Sequence, residues 1–453
     1  MNIAILSGEI SGDLIGGALA EALKQQCPDV TLWGLGSDAM RQAGVELLYN
    51  SGDWGVISLT QALLKYPYLR FNVYPNTIKA LKQRRPDVLV LIDFGAFNVK
   101  VARFAKAAGI PVCYYFPPGA WRRDGDRGAE LARITDLLAV PFEWSAERFR
   151  RLGANAVNVG HPLVERAKPS MTRAEFAAEF DMDPSRPIIG LLPGSRLHEI
   201  EHILPTLLDA ARLIHQEVRD AQFVIGVAPN LSPEIVARYL SGQPELLERL
   251  SEYWYEFAQD AGTQMRKQVS RTANALAPHV QRQLVTVEGL IVPEQTLTDE
   301  MEKRDRIDRQ REKPLLPPTV LAKGLTYDVM AHSDVLITCS GTATLEATVF
   351  TTPMVILYRL SKVMETEARL RGLHKKIKFI GMPNILADRA IVPELLQDAA
   401  TPEALASATL RLLNDLTARA AARQELEAVR AMLGGPGASE RTAELVLELA
   451  KTK

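Results

Sequence analysis

Short apolar runs alternate with amphipathic stretches along most of the 453-residue chain. Runs of this kind suit strands of a parallel sheet whose two faces are both covered by helices. They fall into two series, residues 3–6, 88–92, 112–116, 137–140 and 156–159 first, and then residues 188–192, 223–227, 335–337 and 354–358. The pattern predicts an α/β protein of two Rossmann-like, doubly wound domains.

The two series suggest where the domains begin and end. We expect a first domain over residues 1–165, a second over 166–400, and C-terminal helices over 401–453 that pack back on the first domain. Residues 232–318 interrupt the regular alternation of the second domain, so they are predicted to form a helical insertion.

Composition excludes several classes of function. The 53 Lys and Arg residues balance 54 Asp and Glu, giving a net charge of -1, so no nucleic-acid partner is expected. Three widely spaced cysteines favour a reducing compartment over a disulfide framework or a Cys-based zinc site, and the seven histidines lack metal-ligand spacing. The N-terminus has neither signal-peptide nor membrane-span character, and we expect a cytoplasmic protein.

The first candidate site follows the first strand, at residues 7–13. Gly8 and Gly12 allow close approach of a ligand to the backbone, and the first amides of the following helix suit an anion or a hydroxyl group. The segment is not G-x-G-x-x-G, which disfavours a nicotinamide cofactor. An ordinary Gly-rich turn explains it equally well.

Two further turns in the second domain have the character of phosphate sites. Gly194, Ser195 and Arg196 follow one strand, where the arginine offers a planar fork to a phosphate and the backbone amides complete a cradle. The alternative is a helix N-cap with a surface arginine.

The other turn runs from Ser340 through Gly341 and Thr342, at the start of a helix whose positive end suits a diphosphate. Glu346 lies one turn further along and is placed to accept hydrogen bonds from a ribose diol. A capping box is the plain structural interpretation.

Several segments together resemble lipid-A-disaccharide synthases and follow that family's order. The most specific is the Pro-Asn…Pro-Glu-Leu-Leu-Gln stretch within residues 382–397. The others are residues 7–16, 159–163, 191–196 and 340–346. The resemblance extends over about residues 1–231 and 320–415.

The resemblance implies an inverting GT-B glycosyltransferase that uses neither metal nor cofactor. Such enzymes join UDP-2,3-diacylglucosamine to 2,3-diacylglucosamine 1-phosphate, forming the β-1,6 disaccharide of lipid A biosynthesis and releasing UDP. The donor would contact Gly194, Ser195, Arg196, Ser340, Gly341, Thr342 and Glu346. The acylated acceptor would contact Ser11, Gly12, Asn98 and His161, the last of which has a structural role as its alternative.

Three carboxylates are candidates for the catalytic base. The family usually has Ile-Asp-Ala-Pro-Asp-Phe-Asn where this chain has residues 92–98, so Ala96 replaces the second carboxylate. Asp93 is the surviving candidate, with Asp13 and Glu9 as rivals. A UDP-sugar epimerase, a transferase using another acceptor, and a non-catalytic nucleotide- or lipid-binding paralogue remain alternatives.

Residues 54–86 suggest a membrane contact. The segment contains no Asp or Glu, and its six basic residues stand beside aromatic ones. Such a surface suits an anionic leaflet and predicts peripheral association with the inner membrane; a core helix with a basic outer face is the alternative. A homodimer is left open.

Overall fold

A computed structural model describes residues 1–52, 54, 66–120, 128–229, 231–241, 284–287, 290–293, 317–359 and 378–452. The described residues form two parallel sheets, each lying between helices. The GT-B-type fold class expected from the sequence is therefore confirmed.

Seven strands form the first sheet in the order β3-β2-β1-β4-β5-β6-β7. They are β1 Asn2–Ser7, β2 Thr31–Gly36, β3 Glu46–Asn50, β4 Val88–Ile92, β5 Val112–Tyr115, β6 Leu137–Val140 and β7 Ala156–Asn158. The helices are α1 Ile10–Gln26, α2 Asp38–Gln42, α3 Tyr74–Arg84, α4 Gly95–Ala107, α5 Ala129–Ile134 and α6 Glu143–Arg151, and a π-helical segment, Leu69–Val73, precedes α3.

Two short helices follow the first sheet, α7 Leu163–Arg166 and α8 Arg173–Glu179. The second sheet has the order β12-β9-β8-β13-β14-β15. Its strands are β8 Ile188–Leu192, β9 Gln222–Val227, β12 Thr319–Lys323, β13 Val335–Cys339, β14 Met354–Tyr358 and β15 Glu394–Leu396, and a separate hairpin pairs β10 Leu284–Val287 with β11 Leu290–Pro293. The helices are α9 Leu197–Glu217, α10 Pro233–Ser241, α11 Thr326–His332, α12 Thr342–Val349, α13 Met382–Ala387, α14 Pro402–Asn414, α15 Leu416–Met432 and α16 Ala438–Lys451, with a short 3₁₀ turn, Gln397–Ala399.

Strand order determines which loops become neighbours. In the first sheet the order reverses at β1 and β4, which lie side by side with Ser7 opposite Ile92. In the second sheet it reverses at β8 and β13, with Leu192 opposite Thr338. Crevices at the carboxyl ends of parallel strands form at such reversals. The turns singled out in the sequence therefore come together in pairs.

The three C-terminal helices divide between the two domains. The prediction that all of residues 401–453 pack back on the first domain therefore needs correction. Leu405 of α14 lies in the core around α9, and Leu426 of α15 packs beneath the other face of the second sheet. α16 packs on the first domain, where Val446 joins the core that contains α1.

The chain crosses between the domains at two adjacent places. Outward, it passes through residues 158–162; on return, it passes through residues 433–438. The His161 N–H donates to the Leu433 carbonyl oxygen at 2.8 Å, and Arg441 donates to the Val159 carbonyl oxygen through Nε at 3.0 Å and Nη2 at 2.6 Å. The two crossings are thus hydrogen-bonded to each other.

The start of the predicted insertion needs correction. Leu231 and Val236 are buried in the core of the second domain, so α10 is part of that domain although it lies within residues 232–318. The β10–β11 hairpin also departs from the purely helical expectation. The remainder of that interval lies outside the described residues, apart from residues 317 and 318.

Candidate functional site

Asp93 follows β4 at the reversal of the first sheet, in an unusual turn. Asp93 and Phe94 have φ values of 46° and 48°, a left-handed conformation that costs free energy in non-glycine residues. The Asp93 carbonyl oxygen accepts hydrogen bonds from the Tyr114 hydroxyl at 2.7 Å and Asn98 Nδ2 at 3.0 Å. These two buried side chains hold the turn in place.

Asn98, which was predicted to contact the substrate, lies inside the protein, where its side-chain amide supports this turn. Asn98 is fully buried, and its amide also donates to the Ile92 carbonyl oxygen at 3.1 Å. Ala96, at the position of the family's second carboxylate, is exposed in the first turn of α4. Asn98 thus stabilises the loop between β4 and α4, and Asp93 provides the carboxylate of that loop.

Asp13, a rival candidate for the base, has both carboxylate oxygens hydrogen-bonded to the backbone. Its Oδ1 accepts the backbone N–H of Ser37 at 2.6 Å and of Met40 at 3.2 Å, and its Oδ2 accepts that of Ala39 at 2.9 Å. The side chain is 3% exposed. Three backbone donors from the β2–α2 turn occupy the carboxylate, so its role is structural.

Glu9 stands at the N-cap of α1, across from Asp93. Burial raises the pKa of the Glu9 carboxyl, the negative charge of Asp93 raises it further, and the positive charge of Arg196 lowers it. Burial likewise raises the pKa of Asp93, against a hydrogen bond from the Phe94 backbone. Two carboxyls of the first domain and the arginine of the second therefore share one electrostatic environment.

The remaining first-domain candidates have different surroundings. Ser11 is partly buried in the first turn of α1, while Gly12 is buried, and a Cβ there would lie 2.5 Å from Ser7 Oγ. Burial, with a smaller effect from Arg166, lowers the pKa of His161 to about 3. Its Nδ1 accepts the Leu163 N–H at 3.2 Å. His161 is thus a neutral side chain in the domain connection.

In the second domain, Glu199 occupies backbone amides that the sequence predicted would bind a phosphate. Its Oε2 accepts the N–H groups of Ser195 at 2.8 Å and Arg196 at 3.2 Å, so these amides are engaged within the protein. Gly194 has φ 119°, and a Cβ there would lie 2.3 Å from the Glu199 carboxylate. Arg196 pairs with Glu199 at 3.1 Å and keeps 48% of its side chain exposed. The cationic side chain, rather than the amides, is left for a phosphate.

The β13–α12 turn follows the strand that pairs with β8, so it lies at the same edge of the sheet as Arg196. Gly341 and Thr342 are exposed, and Gly341 has φ 142°, which favours glycine. The first amides of a helix have no acceptor within the helix, and they direct positive partial charge outward. The Ser340 hydroxyl instead donates to the Ile380 carbonyl oxygen at 2.9 Å, so it supports the turn.

Glu346 lies one turn further along α12 and is largely buried. Burial raises the pKa of its carboxyl, while a hydrogen bond from the Tyr327 hydroxyl and the charge of Arg166 lower it. The Tyr327 hydroxyl donates to Glu346 Oε1 at 3.2 Å. No functional motif marks the sequence around Tyr327, so this hydrogen bond could not be predicted from the sequence.

The most specific sequence segment proves to be a scaffold for the turn. Asn384 is fully buried; its Oδ1 accepts the N–H of Ile391 at 2.7 Å and of Val392 at 3.0 Å, and its Nδ2 donates to Glu394 Oε1 at 2.8 Å. Glu394 also accepts the N–H of Gly381 at 2.9 Å. Ser340 and this Asn–Glu pair are thus joined through residues 380–381.

A family model described as lipid-A-disaccharide synthetase matches residues 3–250 and 277–448. The lipid-A-disaccharide synthase of Geobacter metallireducens is 33% identical over 448 residues, covering 99% of this chain and 97% of the relative. That of Anaeromyxobacter dehalogenans is also 33% identical, covering 98% and 96%.

Solved structures support the fold independently. A UDP-GlcNAc 2-epimerase from Neisseria meningitidis, bound to UDP-GlcNAc, has a TM-score of 0.54 at 10% identity, covering 99% of this chain and all of the epimerase. MurG of Acinetobacter baumannii has a TM-score of 0.50 at 13% identity, covering 99% of each chain. These similarities concern the fold alone, whereas the sequence matches extend over nearly the full length and do not favour the epimerase or non-catalytic alternatives. The chain belongs to the lipid-A-disaccharide synthase family.

Proposed function

We propose that this chain is an inverting hexosyltransferase that joins UDP-2,3-diacylglucosamine to 2,3-diacylglucosamine 1-phosphate, giving the β-1,6-linked lipid A disaccharide 1-phosphate and UDP. Family membership supports the reaction. The observation that carries the proposal in this molecule is the shared electrostatic environment of Glu9, Asp93 and Arg196. A base and a cation for the leaving group must face one cleft for this chemistry.

The donor would bind in the second domain. The diphosphate meets the Arg196 guanidinium and the N-terminal amides of α12 at Gly341 and Thr342, and the ribose hydroxyls donate to Glu346. As the bond from the donor C1 to the diphosphate breaks, negative charge grows on the leaving UDP. A fixed guanidinium and fixed amides stabilise that charge without needing to reorganise.

Asp93 is the proposed base. Burial raises the pKa of both carboxyls, and the negative charge of Asp93 raises the Glu9 pKa further, so the pair resists carrying two charges at once. The Asp93 carboxylate takes the proton from the acceptor 6-hydroxyl as that oxygen forms its bond to the donor C1 on the face opposite the diphosphate. Glu9 would donate a hydrogen bond to the acceptor when it carries a proton and accept one when it is charged.

The reaction is tested with purified protein and both diacylated substrates, measuring disaccharide and UDP. Asp93→Asn is expected to lower kcat about 10²- to 10⁴-fold, because it removes general-base catalysis. In the unaltered protein, the acidic limb of kcat/KM is expected above the pH typical of a free aspartate, since burial raises the Asp93 pKa.

Glu21→Gln is the matched control, since Glu21 is an exposed carboxylate of α1 in the same domain. Its activity should equal that of the unaltered protein. Donor binding without disaccharide formation, or epimerisation of UDP-GlcNAc without acceptor, would contradict the proposed reaction. Full activity of Asp93→Asn would exclude Asp93 as the base.

We also propose that the protein binds the cytoplasmic face of the inner membrane peripherally, through an aromatic strip defined by Tyr66, Tyr68 and Phe71. These side chains are 51%, 46% and 75% exposed. Arg70 lies over the Phe71 ring at 5.8 Å. Within the described ranges, no helix combines the length and apolar character needed to cross a bilayer.

Other members of the predicted membrane segment have structural roles. Trp54 is 7% exposed and packs against Phe94 with ring centroids 6.1 Å apart. Arg84 pairs with Glu46 at 2.6 Å and lies over the Trp33 ring at 4.9 Å. Lys65 lies outside the described residues. The proposed contact is therefore smaller than residues 54–86.

A further inference from the structure

The hydrogen bond between Tyr327 and Glu346 joins two helices of the second domain. Tyr327 lies in α11 and Glu346 in α12, and the hydroxyl donates to Oε1 at 3.2 Å. The Tyr327 ring packs against Phe350 with centroids 5.9 Å apart, and both rings contact the apolar cluster that contains Leu163, Leu345 and Val349. These contacts restrict the phenol ring, so its hydroxyl is held beside Glu346.

A carboxylate that receives a ribose diol must be ionised and correctly rotated. Burial opposes ionisation of Glu346, whereas the Tyr327 hydrogen bond and the Arg166 charge favour it. Because Oε1 accepts from Tyr327, the carboxylate plane is defined before any ligand arrives. Oε2 and the second lone pair of Oε1 are then the acceptors that remain for two hydroxyl groups.

We propose that Tyr327 is a positioning residue for the donor ribose: its hydrogen bond to Oε1 fixes the orientation of the Glu346 carboxylate. The proposal rests on the function proposed above, in which Glu346 accepts the ribose hydroxyls. It adds one residue, from α11, that acts on the ribose only through Glu346.

The first test compares two ligands, UDP and its 2′,3′-dideoxy analogue, by calorimetry. Tyr327→Phe is expected to bind UDP about 5- to 20-fold more weakly, because the carboxylate loses its orienting hydrogen bond. The affinity of the dideoxy analogue should stay within about twofold, because that ligand makes no hydrogen bond to Glu346. Retained dideoxy binding also shows that the variant is folded. Tyr49→Phe is the matched control, since it removes a hydroxyl hydrogen-bonded to Asn72 in the first domain.

The second readout is the pH dependence of UDP affinity. Affinity should fall as pH decreases through the Glu346 pKa, and that midpoint should move to higher pH in Tyr327→Phe and in Arg166→Met, because each loses a group that favours the charged carboxylate. Titratable groups on the elements packed against α12 are Glu165 and Arg166 of α7, Tyr327, Asp328 and His332 of α11, Cys339 of β13, and Arg419, Arg423, Glu425, Glu427 and Arg430 of α15. A purely structural role for Tyr327 would leave the midpoint in place.

Glu346→Gln distinguishes failure of the proposed ribose contact from failure of the positioning role of Tyr327. If it leaves UDP affinity unchanged, the ribose assignment in the proposed function is wrong. If it weakens UDP binding while Tyr327→Phe leaves both affinity and midpoint unchanged, the positioning role alone is wrong. Equal weakening of UDP and the dideoxy analogue by Tyr327→Phe would also overturn it. The double variant should bind UDP no more weakly than Glu346→Gln, because Tyr327 acts through that carboxylate.

Discussion

The carboxylates near the cleft differ in what their oxygens contact. Those of Asp13 and Glu199 accept backbone N–H groups, whereas Asp93 and Glu9 have pKa values raised mainly by burial. A carboxylate whose oxygens already accept backbone N–H groups is held in place by the fold rather than presented to a substrate. In the sequence, all four acidic residues stand beside glycine-rich or strand-end turns. Only the hydrogen bonds and burial of their carboxyl groups in the folded chain distinguish them.

Arg196 tests the donor side directly. Arg196→Ala is expected to weaken UDP binding about 10- to 150-fold, the loss of a charge-assisted hydrogen bond of ~1.5–3 kcal/mol. Calorimetry with UDP measures it. Arg186→Ala is the control, because Arg186 is an exposed arginine of the same domain paired with Asp183 at 3.3 Å. Equal UDP affinity in the two variants would refute the phosphate role.

Asp13 provides the opposite test, a residue needed for stability rather than for chemistry. Asp13→Ala removes the acceptor of three backbone N–H groups and should lower the free energy of unfolding by about 2–4 kcal/mol. Chemical denaturation measures the change. At a temperature where the variant is folded, kcat should remain within about threefold; a loss as large as that of Asp93→Asn would return Asp13 to the catalytic set.

Among the secondary-structure elements, the Leu69–Val73 segment and the residues just before it carry the membrane proposal. Each exposed basic residue near an anionic leaflet contributes about 1 kcal/mol, and Phe71 adds apolar contact. Arg70→Gln with Phe71→Ser should weaken binding to anionic vesicles about 5- to 30-fold in sedimentation assays, and added salt should weaken binding of the unaltered protein.

The control for this pair is Arg41→Gln, which removes an exposed arginine of α2 that pairs with Asp38. Its vesicle binding should match that of the unaltered protein. Vesicle binding that neither salt nor the double substitution changes would favour the alternative that the segment is an ordinary solvated surface.

The second domain contains one interval that the family model does not match, residues 251–276. We expect that replacing this interval with a short Gly/Ser linker leaves UDP affinity within about twofold, because every proposed donor contact lies elsewhere in the chain. Calorimetry on the folded variant measures the affinity. The edit retains α10, whose Val236 is fully buried in the core. Loss of UDP binding in a variant with an unchanged circular dichroism spectrum would show that the interval helps to build the donor site.

Both domains could be predicted from the sequence because a strand buried on both faces must be apolar throughout. Val88–Ile92 is buried at every position, and so is Ile188–Leu192, so each stands out as an uninterrupted run. The turns after such strands were recognisable for a related reason, since glycines occur where the backbone has positive φ, as at Gly194 and Gly341. Local conformation is therefore visible in local sequence.

What the tertiary structure alone decided is which groups meet. The partners of Asp13 lie 24 to 27 residues away, and Tyr327 is 19 residues from Glu346. Glu9 follows β1 and Asp93 follows β4. They are neighbours because β4 lies directly beside β1 in the sheet, although β2 and β3 come between them in the chain. Hydrogen bonding and burial depend on distances in space, whereas periodicity reports only spacing along the chain. For that reason the sequence indicated the strands and the turns, and the folded chain determined which carboxylates remain available for chemistry.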